Sequence, residues 1–216
     1  RWIGESNLAE GFWRRVLSQN ESQDARIALA RFALEQGQVE QADSHVNILL
    51  SNHAQQGEGW LLRGIIAMQR QEFDAASLAF QKALDYGGDP RKARMGQGMA
   101  AAGLGQSEGA WTAFSEVLDR DPDDAEAAHW LLRAGTMLEQ WEKLVGRLQR
   151  FLSRNPGDLS LRFALAGVFL RLNRWAEARH EYDSIRLLDP AFDGLSELVG
   201  AIDENESVLT HHHAAR

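Results

Sequence analysis

The four prolines of this 216-residue chain lie on a nearly regular grid. They are Pro90, Pro122, Pro156 and Pro190, at successive spacings of 32, 34 and 34 residues. Proline cannot continue a helix, because its ring clashes with the preceding turn and its nitrogen carries no hydrogen. A chain without internal repetition would not place all of its prolines at one interval. The spacing therefore predicts a structural repeat of about 34 residues that ends near each proline.

Residues 57–90 show what one repeat contains. Apolar residues recur at a spacing of three and four in each half, which is typical of two amphipathic helices. The link at residues 70–72 is so short that it leaves room only for an antiparallel helix pair. Gly64 and Ala76 are small residues on the two inner faces. We therefore expect the two backbones to approach closely, with Phe80 filling the space beside them.

This pattern resembles the tetratricopeptide repeat (TPR), a helix pair with small and aromatic residues at fixed positions. Trp60, Gly64, Ala76, Phe80 and Ala83 match the fourth, eighth, twentieth, twenty-fourth and twenty-seventh positions of that family. The resemblance implies an all-α fold, a right-handed α-solenoid of antiparallel helix pairs called the TPR superhelix. The same frame gives five repeats, numbered 1 to 5 below, at residues 23–56, 57–90, 91–124, 125–158 and 159–192.

The segments outside the five repeats carry separate predictions. Residues 1–22 have an apolar stripe that includes Phe12 and Trp13, which predicts the N-terminal helix of an incomplete repeat or a cap. Residues 193–204 alternate apolar and acidic residues at helical spacing, which predicts a C-terminal capping helix. Residues 205–216 show no apolar periodicity and indicate a disordered tail. We interpret the histidine run at 211–213 as a tag remnant or plain tail rather than a metal site.

Repeat 4 has bulky residues where the other repeats have small ones. Leu132 and Leu144 stand at two close-approach positions, and Phe151 replaces an alanine. We expect a wider or shifted helix pair in this repeat, with compensated repacking as the alternative.

Repeat 3 contains the run GQGMAAAGLGQ, which superficially matches a glycine-rich phosphate loop. A dinucleotide-binding fingerprint must follow a strand, and the pattern predicts no strand here. Gly98 falls instead on the small eighth position of the repeat. We therefore interpret the run as part of a helix pair.

The composition argues against several classes of function. Hydrophobic residues make up 44% and charged residues 25% of the chain, which is typical of globular proteins. No stretch of about eighteen uninterrupted apolar residues is present, so we predict no direct membrane insertion in this span. The absence of cysteine excludes disulfides, thiolate metal sites and cysteine nucleophiles. The net charge of −8 argues against nucleic-acid binding, which needs clustered lysine and arginine.

The resemblance also implies where a ligand would bind. In the family, the second, fifth, ninth, twelfth and thirteenth positions of each first helix line the concave surface. All four methionines fall on these positions, and methionine adapts to varied apolar partners. The alternative is that some of these residues pack on neighbouring first helices. The candidate peptide-binding groove consists of Ile27, Arg31, Leu61, Ile65, Met68, Met95, Met99, His129, Arg133, Met137, Phe163 and Leu170.

The charged residues on the same positions indicate a preference among ligands. Chaperone-binding members of the family hold a terminal carboxylate between a lysine and an asparagine, and the fifth and ninth positions here contain no such pair. This argues against binding of chaperone tails. Arg31, Arg133 and Arg171 are instead expected to pair with acidic side chains of a ligand.

These observations favour a non-catalytic scaffold that binds a peptide or helix of a partner protein in the concave groove. We predict no catalytic residue, no cofactor and no metal, because no nucleophile–base pair, phosphate loop or metal-ligand set is recognisable. The predicted partner is a protein or peptide, and neither nucleic acid nor membrane.

Three alternatives remain open. The chain begins with Arg1, so we expect a processed chain or a part of a longer one. It would then be the TPR region of a larger bacterial assembly protein of a pilus, secretion or exopolysaccharide system. It would otherwise be the recruitment arm of an enzyme whose catalytic domain lies outside this span. A homo-oligomer formed through Phe12 and Trp13 is the third alternative. The bacterial cytoplasm and periplasm are both compatible with the composition.

Overall fold

The computed structural model describes the backbone of residues 2–214 and the side chains of residues 9–204. This part of the chain contains twelve α-helices and no strand, which confirms the predicted all-α fold class. The helices are α1 (Trp2–Gln19), α2 (Gln23–Glu35), α3 (Val39–Asn52), α4 (Gly57–Gln69), α5 (Phe73–Asp85), α6 (Pro90–Gly103), α7 (Ser107–Arg120), α8 (Ala125–Met137), α9 (Trp141–Arg154), α10 (Leu159–Arg171), α11 (Trp175–Leu188) and α12 (Leu195–Ala214).

The ten helices from α2 to α11 fall into the five frames derived from the sequence, two in each repeat. The helices form two compact units, which meet in sequence between Glu116 and Val117, inside α7. We call them the N-terminal unit and the C-terminal unit and describe each by itself.

Every first helix of a repeat begins with a side-chain cap. The residue before the helix accepts a hydrogen bond from the amide three residues on, which satisfies one of the unpaired donors at the helix start. Each such cap stabilises a helix by about 1 kcal/mol. The caps recur with the repeat and thereby fix where each pair begins. The bonds run from Ala25 to Ser22, from Gly59 to Gln56, from Lys92 to Asp89, from Ala127 to Asp124 and from Leu161 to Asp158.

The turn inside every repeat has one residue with a positive φ, at the fifteenth position. It is a glycine in repeats 1 and 3, where φ is 70° at Gly37 and 72° at Gly105. In the other three repeats it is Gln71, Glu139 or Asn173, with φ of 60°, 53° and 57°. The next amide then reaches back to a carbonyl of the first helix, as from Glu72 to Ala67 at 2.9 Å. The turn therefore imposes a left-handed backbone even where the residue has a side chain.

Close packing in the N-terminal unit depends on one ring held between two glycines. Phe80 of α5 is 2% exposed and lies between Gly64 of α4 and Gly96 of α6. A Cβ atom would come within 2.5 Å of the ring at Gly64 and within 2.4 Å at Gly96. Gly98 of α6 makes the same approach to Phe114. The glycine run of repeat 3 is therefore helical as far as Gly103, where its glycines admit aromatic rings, and Gly105 lies in the turn.

Repeat 4 departs from this arrangement where its sequence does. Leu144 and Phe151, at 0% and 3% exposure, occupy positions on α9 that are Ala76 and Ala83 in repeat 2. The backbones of α8 and α9 lie close over less of their length than those of α4 and α5. The turn is also loose, because the amides of Glu139 and Gln140 each lie 3.3 Å from their carbonyl acceptors. This agrees with the expected wider helix pair.

The final helix is longer than expected. Leu198 and Ile202 of α12 are buried, as a capping helix requires. The backbone nevertheless begins at Leu195 and stays helical to Ala214, whereas a cap at 193–204 and a disordered tail were expected. Residues 201–214 contain neither proline nor glycine, so no residue breaks the helix. The side chains of 205–214, including the histidine run, lie outside the described residues, as do residues 215 and 216.

His45 is a half-buried titratable group of α3. Burial lowers its pKa, and the nearby Arg26 and Arg14 lower it further, while Glu21 opposes them. Within the described side chains, Nδ1 of His45 has no hydrogen-bond partner. The fold therefore favours the neutral imidazole.

The packing of Phe80 leads to a first prediction. Gly64→Ala should lower the free energy of unfolding by about 1–3 kcal/mol, because Gly96 blocks the ring from moving away from the new methyl group. Gly146→Ala is the control, since a Cβ there meets nothing within 4 Å and alanine favours the helix by up to about 1 kcal/mol. Urea denaturation measures both variants. Equal stability of the two would contradict the ring-and-glycine arrangement.

The left-handed turns lead to a second prediction. Gln71→Gly should raise the free energy of unfolding by about 1 kcal/mol, because glycine adopts a positive φ without steric cost. Gln149→Gly, on an exposed position inside α9, should lower it by about 1 kcal/mol. Thermal unfolding of both variants gives the two signs. A loss of stability in Gln71→Gly would show that the side chain is needed in this turn.

The environment of His45 leads to a third prediction. The unfolded chain takes up a proton at His45 near its ordinary pKa of about 6.5, whereas the folded chain does so only at lower pH. Stability should therefore fall as the pH drops below about 6.5, down to the folded-state pKa. His45→Gln should reduce this loss, and His180→Gln on the exposed side of α11 should not. Urea midpoints at about pH 7.5 and 5.5 compare the three proteins.

Candidate ligand-binding site

In the N-terminal unit, two predicted groove residues belong to the core. Leu61 is 1% exposed and Met95 is 4% exposed, so neither side chain offers a surface to a ligand. Leu61 lies in one hydrophobic cluster with Phe80 and Ala93, where α4, α5 and α6 meet. This corrects the prediction for both residues. The first helices are so close here that the fifth position faces a neighbouring helix.

The other predicted residues of this unit are partly engaged in packing. Ile27, Ile65 and Met68 are half-buried against the core clusters, and Met99 is half-buried in α6. The exposed Arg31 forms an ion pair with Glu58 of the adjacent first helix. Its charge is therefore already neutralised within the repeat array.

The C-terminal unit contains an open pocket between α8 and α10, with a volume of about 640 Å³. Three predicted groove residues line it, and all three are exposed side chains of α8. We call this the α8–α10 pocket. Its lining is His129, Leu132, Arg133, Thr136, Met137, Glu139, Trp141, Ala164, Gly167, Val168 and Arg171.

Gly167 contributes to the space in this pocket. It lies inside α10, and a Cβ atom built there would meet no heavy atom within 4 Å. Any larger residue at this position would project into the space now open. Gly167 thus differs from Gly64 and Gly96, whose missing side chains are replaced by a ring of the protein itself.

The apolar surface of the α8–α10 pocket is accessible. Met137, at the end of α8, is 72% exposed, the most accessible methionine of the described chain. Leu132 and Trp141 are half-buried beside it. Exposed apolar surface of this kind, bordered by polar groups, is typical of interaction sites.

Two arginines border the apolar surface. Arg133 of α8 lies over the ring of Trp130, with 5.5 Å between the guanidinium carbon and the ring centroid. Arg171 of α10 lies over Trp141 at 5.6 Å. Among the residues whose side chains the structure describes, neither arginine has a carboxylate within ion-pair distance. Both remain able to bind an anionic group.

His129 is tied to the start of α10. Its Nε2 lies 3.3 Å from Oδ2 of Asp158, and Oδ1 of the same carboxylate accepts the capping hydrogen bond from Leu161. His129 therefore connects the two walls of the pocket at the N-terminal end of α10.

Phe163 and Leu170 are half-buried residues of α10 that do not line the α8–α10 pocket. The ring of Phe163 packs against Phe192, with 5.7 Å between the centroids, and against the backbone of Gly194. Phe163 thus joins α10 to the segment before α12, which explains its partial burial.

Several lining residues were missed by the predicted groove. Gly167 and Thr136 stand on ligand-facing positions of the family but were not selected, whereas Arg171 was expected to pair with acidic side chains of a ligand. Leu132 and Trp141 stand on other positions. The signal at Leu132 was its departure from the small eighth position, which was interpreted only as a change in helix packing.

Neither a metal site nor a membrane-spanning helix is present among the described residues. No group of three or more histidine, aspartate or glutamate side chains among them could hold a metal ion. No helix among them has the length and apolar content that a membrane crossing requires.

Comparisons with solved structures place the fold among TPR proteins. The structure is similar to YrrB, described as a TPR protein with an unusual peptide-binding site, with a TM-score of 0.70 and 14% identity over 86% of this chain and 96% of that one. It is also similar to MamA, residues 41 to the end, from Desulfovibrio magneticus RS-1. That TM-score is 0.65, with 18% identity over 86% of this chain and 97% of the other.

Sequence comparison gives the family. Superkiller protein 3 of Schizosaccharomyces pombe is 27% identical over 119 residues, which are 55% of this chain and 9% of that protein. This chain thus spans less than a tenth of that relative. The family model described as tetratricopeptide repeat matches residues 27–93, 61–125 and 145–191. These matches cover more than half of the chain, and the chain belongs to the tetratricopeptide repeat family.

Proposed function

We propose that this chain is a non-catalytic scaffold that binds a peptide or helix of a partner protein in the α8–α10 pocket. The TPR fold is that of a protein–protein interaction scaffold. The pocket adds a place where one apolar side chain of a partner can be buried. Of the twelve predicted groove residues, His129, Arg133 and Met137 would contact it.

The observation that carries the proposal is the exposed Met137 beside the unfilled space over Gly167. Met137 is flexible and can follow the shape of an inserted side chain. Burial of one leucine-sized group contributes about 1.5–3 kcal/mol to binding. The description of YrrB as having a peptide-binding site supports the same kind of ligand by analogy of fold. This role requires no cofactor, no metal and no nucleic acid.

The alternative that this chain is the TPR region of a larger protein is compatible with the same site. TPR segments like this one occur within much longer chains, as the match to 9% of Superkiller protein 3 illustrates. A peptide-binding pocket would serve an assembly protein or the recruitment arm of an enzyme equally. Self-association through Phe12, which is 57% exposed on α1, would use a different surface.

Filling the pocket tests the proposal. Gly167→Leu should raise the free energy of unfolding by up to about 1 kcal/mol, because glycine is a poor helix residue and the new side chain meets nothing. The same variant should weaken the binding of peptides selected on the wild-type protein by about 10- to 100-fold. Selection from displayed random peptides, followed by titration calorimetry, measures this effect.

The matched control is Gly146→Leu, which makes the same change at an exposed helical glycine outside the pocket. It should keep the affinity of the wild-type protein for the selected peptides. Unchanged affinity in Gly167→Leu, with its fold intact by circular dichroism, would place peptide binding elsewhere and contradict the proposal.

A further inference from the structure

The residues that line the α8–α10 pocket include more arginines than carboxylates, although the whole chain is negatively charged. The chain carries a net charge of −8, whereas the pocket is lined by two arginines and a single glutamate, Glu139. The remaining titratable group of the lining, His129, is engaged by Asp158. A local field of this sign in a negatively charged protein favours the approach of an anionic ligand to this place rather than to the surrounding surface.

Arg133 and Arg171 differ from the third arginine expected to meet a ligand. Arg31 is paired with Glu58, so a ligand would have to displace that carboxylate. No carboxylate of the described side chains lies within ion-pair distance of Arg133 or Arg171. Other exposed arginines of the chain, such as Arg150, are also unpaired, so this alone identifies no site. The two arginines of the pocket are set apart by their position on opposite walls of one apolar cavity.

Stacking on tryptophan prepares both guanidinium groups for a ligand. The distances of 5.5 Å from Arg133 to Trp130 and 5.6 Å from Arg171 to Trp141 lie within the range of cation–π attraction. An arginine already held on a ring loses less conformational freedom when it binds a carboxylate. Its planar fork of donors can still take both oxygens of that carboxylate.

We infer that the ligand of the pocket is a protein segment in which an apolar side chain is flanked by acidic side chains. The apolar side chain occupies the space over Gly167, against Leu132 and Met137. The acidic side chains pair with Arg133 and Arg171 on the two walls. This inference rests on the proposed function, since it names the chemistry of the peptide that the scaffold would bind.

Peptide selection on charge-reversed protein tests the inference. A library of random dodecapeptides displayed on phage is selected on the wild-type chain and on Arg133→Glu/Arg171→Glu. The wild-type chain should enrich aspartate and glutamate on both sides of an apolar residue. The double variant should bind those peptides about tenfold more weakly or worse, and should enrich lysine and arginine at the same places. The affinity of the wild-type chain should also fall as salt is added.

Two further variants keep the result interpretable. Arg120→Glu/Arg150→Glu makes the same change of net charge on exposed arginines outside the pocket and should keep the acidic preference. Arg133→Gln/Arg171→Gln removes the charges without adding repulsion and should lose the acidic preference, even if the glutamate pair does not fold.

The outcomes separate this inference from the proposed function. Peptides that lack an acidic bias but lose binding to Gly167→Leu would overturn the acidic ligand and leave the pocket as the binding site. An acidic preference that survives in Arg133→Gln/Arg171→Gln would also overturn it. Peptides that bind Gly167→Leu as well as wild type would contradict the proposed function, and with it the inference.

Discussion

The approach of an aromatic ring to two helical glycines sets the spacing of helices in the N-terminal unit. Phe80 reaches from a second helix into the gap between two first helices, and its ring takes the space that side chains at Gly64 and Gly96 would need. The interaction brings α4 and α6 so close that Leu61 becomes a core residue. Where repeat 4 has Leu132 and Leu144 instead, the pair packs less closely and exposed surface appears beside it. The same positions of the repeat therefore decide whether nearby residues are buried in the core or line an open pocket.

Most of the fold could be predicted from the sequence because its determinants are local and recur at a fixed interval. Caps such as Asp89 and Asp158 and left-handed turn residues such as Gly37 act within a few residues of where they stand. Once the length of the repeat is known, the positions of the caps and turn residues in every repeat follow. The end of α12 could not be predicted in this way, because it lies beyond the last repeat and no proline or glycine marks a stop.

The candidate binding site was less predictable, because its accessibility depends on distances between repeats. Three residues selected from the family's ligand-facing positions, His129, Arg133 and Met137, are exposed and line one pocket. The same rule failed for Leu61 and Met95, since the separation of two first helices determines whether the fifth position is open or buried. The distance between two first helices depends in turn on the volumes of side chains that belong to a second helix. Likewise, the sequence shows three similar arginines, and only the fold reveals that Arg31 already has a partner.

The open position at Gly167 has a consequence for how such a chain can change by mutation. Almost any other side chain at this position would stabilise α10, but it would also fill the cavity. Selection for stability and selection for an open cavity therefore favour different residues. If only the stability of the fold were under selection, one substitution of Gly167 would be enough to fill the cavity. A repeat array can thus gain or lose a recognition site through one codon while every helix stays in place, which makes such scaffolds easy to diversify and easy to silence.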